Sequence, residues 1–141
     1  MLSVARSVHS LTIPSSTRYL EDVRRFVEQH ATEANFATKD VGELKVAVDE
    51  ACTNVIEHAY CGDTQHDIDV DVIIKPDRLT VRIRDKGQTF DQTTYEEPDI
   101  FNFAHHRKAG GFGVKIMRRL MDHVEYRKRG NTNECCLTKY R

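Results

Sequence analysis

Three short stretches carry residues that could do chemistry together. The first is VAVDEACTNVIEHAY, residues 46–60, in which Glu50, Asn54 and His58 fall four apart. On a helix that spacing sets a carboxylate, an amide and an imidazole along one side. Val48, Cys52, Val55 and Ala59 make an apolar stripe on the same segment. The bland interpretation of the polar stripe is a solvated helix face; the other is a row of groups facing a ligand. The second stretch is RIRDKGQTFD, residues 82–91, where Asp85 closes an alternating pattern and Gly87 follows. That is either an ordinary strand end or an acceptor for an exocyclic amine, such as adenine N6. In the second case the glycine lets the backbone approach a flat base. The third is GGFGVKIM, residues 110–117, with Gly110, Gly111 and Gly113 leading into a helical pattern. It is a hinge and helix start, or an anion site built from backbone N–H groups. Four of the seven glycines lie in these two short motifs.

Together the three stretches ask for one ligand. An acid at a strand end reads a base, and a glycine-rich turn holds phosphates. An amide helps hold Mg2+, which takes few protein ligands beside phosphate oxygens and waters. A glutamate one turn away polarises an attacking hydroxyl. Residues 86–110, between the glycine motifs, lack a clear period and hold Gly, Pro and several charges. A loop that long inside a compact domain is usually functional, and here it would be a lid.

The elements that must position these groups are legible from period. VHSLTI, residues 8–13, alternates as a strand; Pro14 and Ser15 to Thr17 then stop it and offer an N-cap. Leu20, Val23, Val27 and Ala31 predict a helix over 16–33. Asp40 with Glu43 resembles a capping box opening a second helix, which runs to about Tyr60 and ends at Gly62. Ile68, Val70, Val72 and Ile74, then Leu79, Val81 and Ile83, alternate with polar residues across KPDR, predicting an antiparallel hairpin with one wet face. Val114, Met117, Leu120 and Met121 predict a third helix, followed by closing strands in VEYRKRG and ECCLTKY. With one sheet face wet, the helices must cover the other. The expected class is α+β, a two-layer α/β sandwich with a mixed, mostly antiparallel sheet and helices on one face.

Bulk composition narrows the function classes. A chain of 141 residues suits one domain, residues 1–141. With 39% apolar residues, 30% charged residues and a net charge of -1, it has no electrostatic footprint for nucleic acid or an anionic membrane. No apolar run approaches a bilayer span, and MLSVARSVHSLTIP does not read as a secretory signal. The cysteines Cys52, Cys61, Cys135 and Cys136 contain no CxxC pair and suit reduced thiols in a cytoplasmic protein. His58 and Cys61 could begin a zinc site, but no second pair completes it.

The ordered motifs resemble those of the GHKL superfamily, whose Bergerat, or histidine kinase-like ATPase, fold binds ATP. DEACTNVIEHAY is similar to its N box, DKGQTFD to its first glycine box and GGFGVKIM to its second. The chain is most like the anti-sigma factor serine/threonine protein kinases, along essentially its whole length. The resemblance implies that Glu50 is the general base, that Asn54 ligates Mg2+ and that His58 lies near the phosphates. It implies that Asp85 bonds the adenine amino group beside Gly87. Gly111 and Gly113, assisted by Gly110, would meet the phosphates, and Arg107 and Lys108 would lie in the ATP lid, about 90–110. Thr89 stands where many members have a second glycine, which leaves lid geometry open. The threonine that many members place near adenine has no clear counterpart; Thr138 is one option. The implied partners are a sigma factor, a STAS-domain anti-anti-sigma protein that is phosphorylated, and a second copy in a homodimer. Two alternatives share the fold: a non-catalytic nucleotide-binding regulator, and the ATP-binding domain of a histidine kinase-type regulator. Against the latter, no dimerisation segment with a phospho-accepting histidine precedes the domain.

Overall fold

The structure is a computed structural model that describes residues 6–88 and 111–141, without the side chains of residues 111 and 112. Arg107, Lys108, Gly110, Thr89 and the lid segment 90–110 therefore lie outside the described residues. Strand β1 (Ser7–Pro14) leads through a short turn of 3-10 helix (Thr17–Tyr19) into α1 (Leu20–Glu33). Helix α2 (Thr38–Asn54) continues into one π-helical turn (Val55–Ala59). The hairpin β2 (Asp67–Lys75) and β3 (Arg78–Asp85) follows, then α3 (Gly111–Leu120), β4 (His123–Arg129) and β5 (Thr132–Tyr140). Among the described residues the five strands pair antiparallel throughout, not as the mixed sheet expected, in the order β1-β2-β3-β5-β4.

Alternation on the strands makes the two layers. Val70, Val72, Val81, Ile83 and Leu137 point to one face, and each is 0–1% exposed. Against them pack Val23 and Val27 of α1, Leu44, Val48 and Cys52 of α2, and Val114 and Met117 of α3. Lys139 fastens the layers: its Nζ donates to Glu43 Oε1 on α2 at 2.6 Å and to the Leu120 carbonyl at the end of α3 at 2.7 Å. That bond holds the Glu43 carboxyl below its ordinary range.

Three local expectations change. Ser16 does cap the first helical turn, accepting from the Arg18 N–H at 3.4 Å, but the α-helix proper begins at Leu20. The Asp40–Glu43 capping box does not form, because α2 already starts at Thr38 with Ala37 as an uncapped N-cap. Glu43 turns instead to Lys139. The open sheet face is also not uniformly wet. Asp71 lies on it 1% exposed, accepting from Ser10 Oγ at 2.7 Å and from Arg82 Nε and Nη2 at 3.0 and 2.8 Å, with Arg84 Nη2 at 3.0 Å. The arginine stems on β3 lie beside the carboxylate and seal it.

Candidate nucleotide site

Helix α2 is the spine of the site. Each four-residue step advances about 40° around an α-helix, so an i, i+4, i+8 row drifts sideways. The π turn closes with Tyr60 N donating to the Val55 carbonyl at 2.9 Å, an i to i−5 bond. This underwinding runs against the drift between Asn54 and His58. Single π turns are rare and favour functional sites. They have no marker in sequence, and the expected plain helix to Tyr60 is corrected accordingly.

At the middle of the spine, the start of α3 comes against Glu50 and Asn54. A Cβ at Gly113 would stand 2.8 Å from Glu50 Oε2 and 3.6 Å from both side-chain ends of Asn54. Any side chain here would displace the carboxylate. Asn54 is 8% exposed, and its Nδ2 is buried without a hydrogen-bond partner among the described residues. The amide's two ends differ little in shape, so Asn54 holds polar capacity that the described residues do not use. An oxygen-seeking cation beside phosphates fits that donor set.

At the far end of the spine, the turn after β3 closes onto the π turn. A Cβ at Gly87 would fall 2.4 Å from the Ala59 carbonyl oxygen and 2.9 Å from Tyr60 Cδ1. Gln88 N donates to that carbonyl at 2.7 Å. The π turn ends there, leaving the Ala59 carbonyl without a helical partner, and the glycine turn supplies one. Tyr60 Oη donates to the Asp67 carbonyl and accepts from Lys86 N, both at 2.9 Å. Burial pushes the Tyr60 hydroxyl up, and the carboxylates of Asp85, Asp67 and Asp69 add to this, opposed by the Lys86 N–H. It therefore stays protonated as a structural donor.

Asp85 is 7% exposed, and its Oδ1 accepts from Gly87 N at 2.8 Å and from Asn133 Nδ2 at 2.9 Å. Asn133 also donates to the Gly87 carbonyl at 3.0 Å. Strand register explains the meeting, since Asp85 and Asn133 are directly opposed on β3 and β5. Asn133 and Tyr60 escaped the sequence reading; the only sequence signal for either was position, Tyr60 closing the helix and Asn133 opening the last strand. Thr138 is ruled out as an adenine-side residue. It bonds Thr80 Oγ1 at 2.9 Å, a pair standing in register with His123 on the open face, away from the helices. A polar cleft of about 530 Å³ opens at this end of the sheet, where Tyr60, Asp85 and Lys86 share the wall with Asp67, Asp69 and Arg84; neither Glu50 nor Asn54 lines it.

The predicted residues thus gather at two poles of one helix. Glu50, Asn54 and Gly113 make the first; Asp85, Gly87 and the end of the π turn make the second. His58 sits half-buried between them, its carbonyl facing Cys61 Sγ at 3.5 Å. From Glu50 to Ala59 the helix rises about 13 Å at 1.5 Å per residue, a length suited to an extended nucleoside triphosphate. Gly111 is the first residue of α3.

A family model described as the histidine kinase-like ATPase domain matches residues 13–139. The chain is similar to the serine-protein kinase RsbW of Bacillus pumilus, 34% identical over 121 residues, covering 82% of this chain and 75% of that protein. The RsbW of Listeria monocytogenes serovar 1/2a is 32% identical over 120 residues, covering 82% and 76%. The RsbW of Bacillus velezensis is 30% identical over 134 residues, covering 92% and 83%. Among solved structures, the RsbU and RsbW domains of a Mycobacterium tuberculosis protein align with a TM-score of 0.68 at 16% identity. That alignment covers 96% of this chain but only 33% of the other, so the chain spans about a third of that protein's length.

Proposed function

The chain belongs to the anti-sigma factor serine/threonine kinase branch of the histidine kinase-like ATPase family, and from that premise we propose that it is an ATP-dependent protein kinase of a partner-switching module. Its protein substrate is a serine or threonine on a STAS-domain antagonist, and its other partner is a sigma factor that it sequesters. Residues 1–141 act as one such domain, with residues 90–110 as the lid, in a cytoplasmic homodimer. Among the described residues no helix is long and apolar enough to cross a membrane.

The observation that carries this reading is the contact at Gly113. A glycine in the first turn of a helix lies within side-chain reach of both a carboxylate and an amide nitrogen that no described residue satisfies. Helix N-termini attract phosphate, a carboxylate beside phosphate suits a proton acceptor, and an amide suits a magnesium ligand. Asn54 would hold Mg2+, which neutralises charge on the phosphates when bound. Glu50 accepts the proton of the substrate hydroxyl as its oxygen bonds to the γ-phosphorus. The bond from that phosphorus to the bridging oxygen breaks and ADP leaves. Gly111 and Gly113 bring backbone N–H groups to the phosphates, while Asp85 accepts from the adenine amine beside Gly87. His58, Gly110, Arg107 and Lys108 complete the phosphate environment.

Transfer of labelled γ-phosphate to a STAS-domain antagonist tests the proposal. Native protein should phosphorylate it in the presence of Mg2+, and Glu50→Gln should abolish transfer while ATP binding persists. ATP binding without any transfer by the native chain would instead favour a purely regulatory nucleotide module.

A further inference from the structure

We propose that Asn133 is the positioning residue that aims Asp85, and that it thereby sets selectivity for a purine bearing an exocyclic amine. The inference rests on the nucleotide-binding reading above and adds to it a residue that the motifs do not contain. The Asn133 Nδ2 group spends both hydrogens, one on Asp85 Oδ1 at 2.9 Å and one on the Gly87 carbonyl at 3.0 Å. Gly87 N returns a bond to the same Asp85 oxygen at 2.8 Å. The amide's orientation is fixed by chemistry, because both atoms facing it are acceptors and only an NH2 group satisfies them.

The consequence is an asymmetric carboxylate. Both hydrogen bonds that the Asp85 carboxylate makes among the described residues fall on Oδ1, and none falls on Oδ2. Oδ2 is left as the acceptor for an incoming amine. Gly87 alone would hold the carboxylate only through a local turn bond, the soft kind that Asx residues make with their own backbone. Asn133 anchors it from a neighbouring strand, 48 residues further along the chain. It also ties in the Gly87 carbonyl, so the acceptor and the glycine turn move as one body. An acceptor held in this way discriminates sharply. Adenine offers it an amine, whereas hypoxanthine offers a carbonyl at the same position, setting oxygen against oxygen.

The test compares affinities for Mg-ATP and Mg-ITP by calorimetry on the full chain, with Asn133→Ala, Asp85→Asn and the double variant beside native protein. Native protein should prefer ATP. Asn133→Ala should cut the ATP-to-ITP ratio about tenfold, as expected for loss of one hydrogen bond to a charged group, and almost wholly through weaker ATP binding. The double variant should lose no more selectivity than Asp85→Asn alone. An equal loss for both nucleotides, with the ratio unchanged, would mark Asn133 as structural only and overturn the proposal. Native protein that binds neither nucleotide refutes the underlying reading and this inference with it. Should Asn133→Ala fail to fold in a thermal scan, native protein still decides. The Asn133 side-chain NH2 protons should exchange slowly with solvent and shift more with ATP than with ITP. Fast exchange, or equal shifts, would contradict the clamp.

Discussion

Gly113→Ala separates stability from activity. Gly113 is the third residue of α3, and alanine is the better helix former by about 0.5–1 kcal/mol. On backbone grounds the variant should be as stable as native or slightly more so. The new methyl would stand 2.8 Å from Glu50 Oε2, and ordinary contact begins at 3.4 Å, so the carboxylate must recede by about 0.6 Å. The atom in the way is the far end of a flexible side chain, so the shift is cheap for folding. It is costly for chemistry, where misplacing a reacting group by about 1 Å can cost on the order of a hundredfold. Phosphotransfer by Gly113→Ala should therefore fall by roughly 10- to 100-fold, with the unfolding midpoint unchanged or raised. The assay is single-turnover transfer to a STAS-domain substrate at saturating ATP, paired with a urea melt. Full transfer rate in a stably folded variant would refute the argument, because Glu50 could then not be acting at the place where α3 begins.

Gly87→Ala should behave oppositely. Its Cβ would meet backbone at Ala59, 2.4 Å away, and backbone cannot step aside, so the turn must open and lose the Gln88 bond. A loss of about 2–4 kcal/mol is expected from overpacking plus one hydrogen bond, read from the urea midpoint and accompanied by weaker ATP binding. Asp71 makes stability pH-dependent. Burial pushes its carboxyl up, but the Ser10 and Arg82 hydrogen bonds and the Arg84 and Arg82 charges outweigh this and hold it below the ordinary value. Its contribution is thus fully present above the unfolded carboxylate value of about 3.9 and lost as pH falls through the lower folded value. Asp71→Asn should flatten the acid limb of a stability–pH curve measured from pH 6 downwards, and an unchanged limb would count against the network. Thiol labelling of native protein should modify the exposed Cys61 and spare the buried Cys52 and Cys135, whose thiols burial pushes up, that of Cys135 to about 12. Rapid labelling of all four would contradict the packing.

Much of this architecture was readable because its signals are local. Period two in residues 68–74 and 79–83 and period 3.6 in residues 20–31 report burial directly, and they place β2, β3 and α1. The polar row Glu50, Asn54, His58 and the glycines at 87 and 113 were visible for the same reason. What escaped depends on partners distant in the chain. Asn133 matters only because register sets it opposite Asp85. The burial of Asp71 needs Ser10 from β1 and two arginines from β3. Thr138 was one unassigned option for the adenine-side threonine, and register puts it on the open face beside Thr80. The π turn at Val55–Ala59 has no residue type that encodes it.

The central claim is that Asn54 and the start of α3 meet over one magnesium-bound nucleotide. Calorimetric titration of ATP into the native chain and into Asn54→Ala, each with Mg2+ and with EDTA, tests it most directly. The account predicts that native protein binds ATP more tightly with Mg2+, and that Asn54→Ala binds equally in both conditions. A well-folded native chain that binds no ATP with Mg2+, or an Asn54→Ala variant that keeps the full magnesium effect, would contradict it.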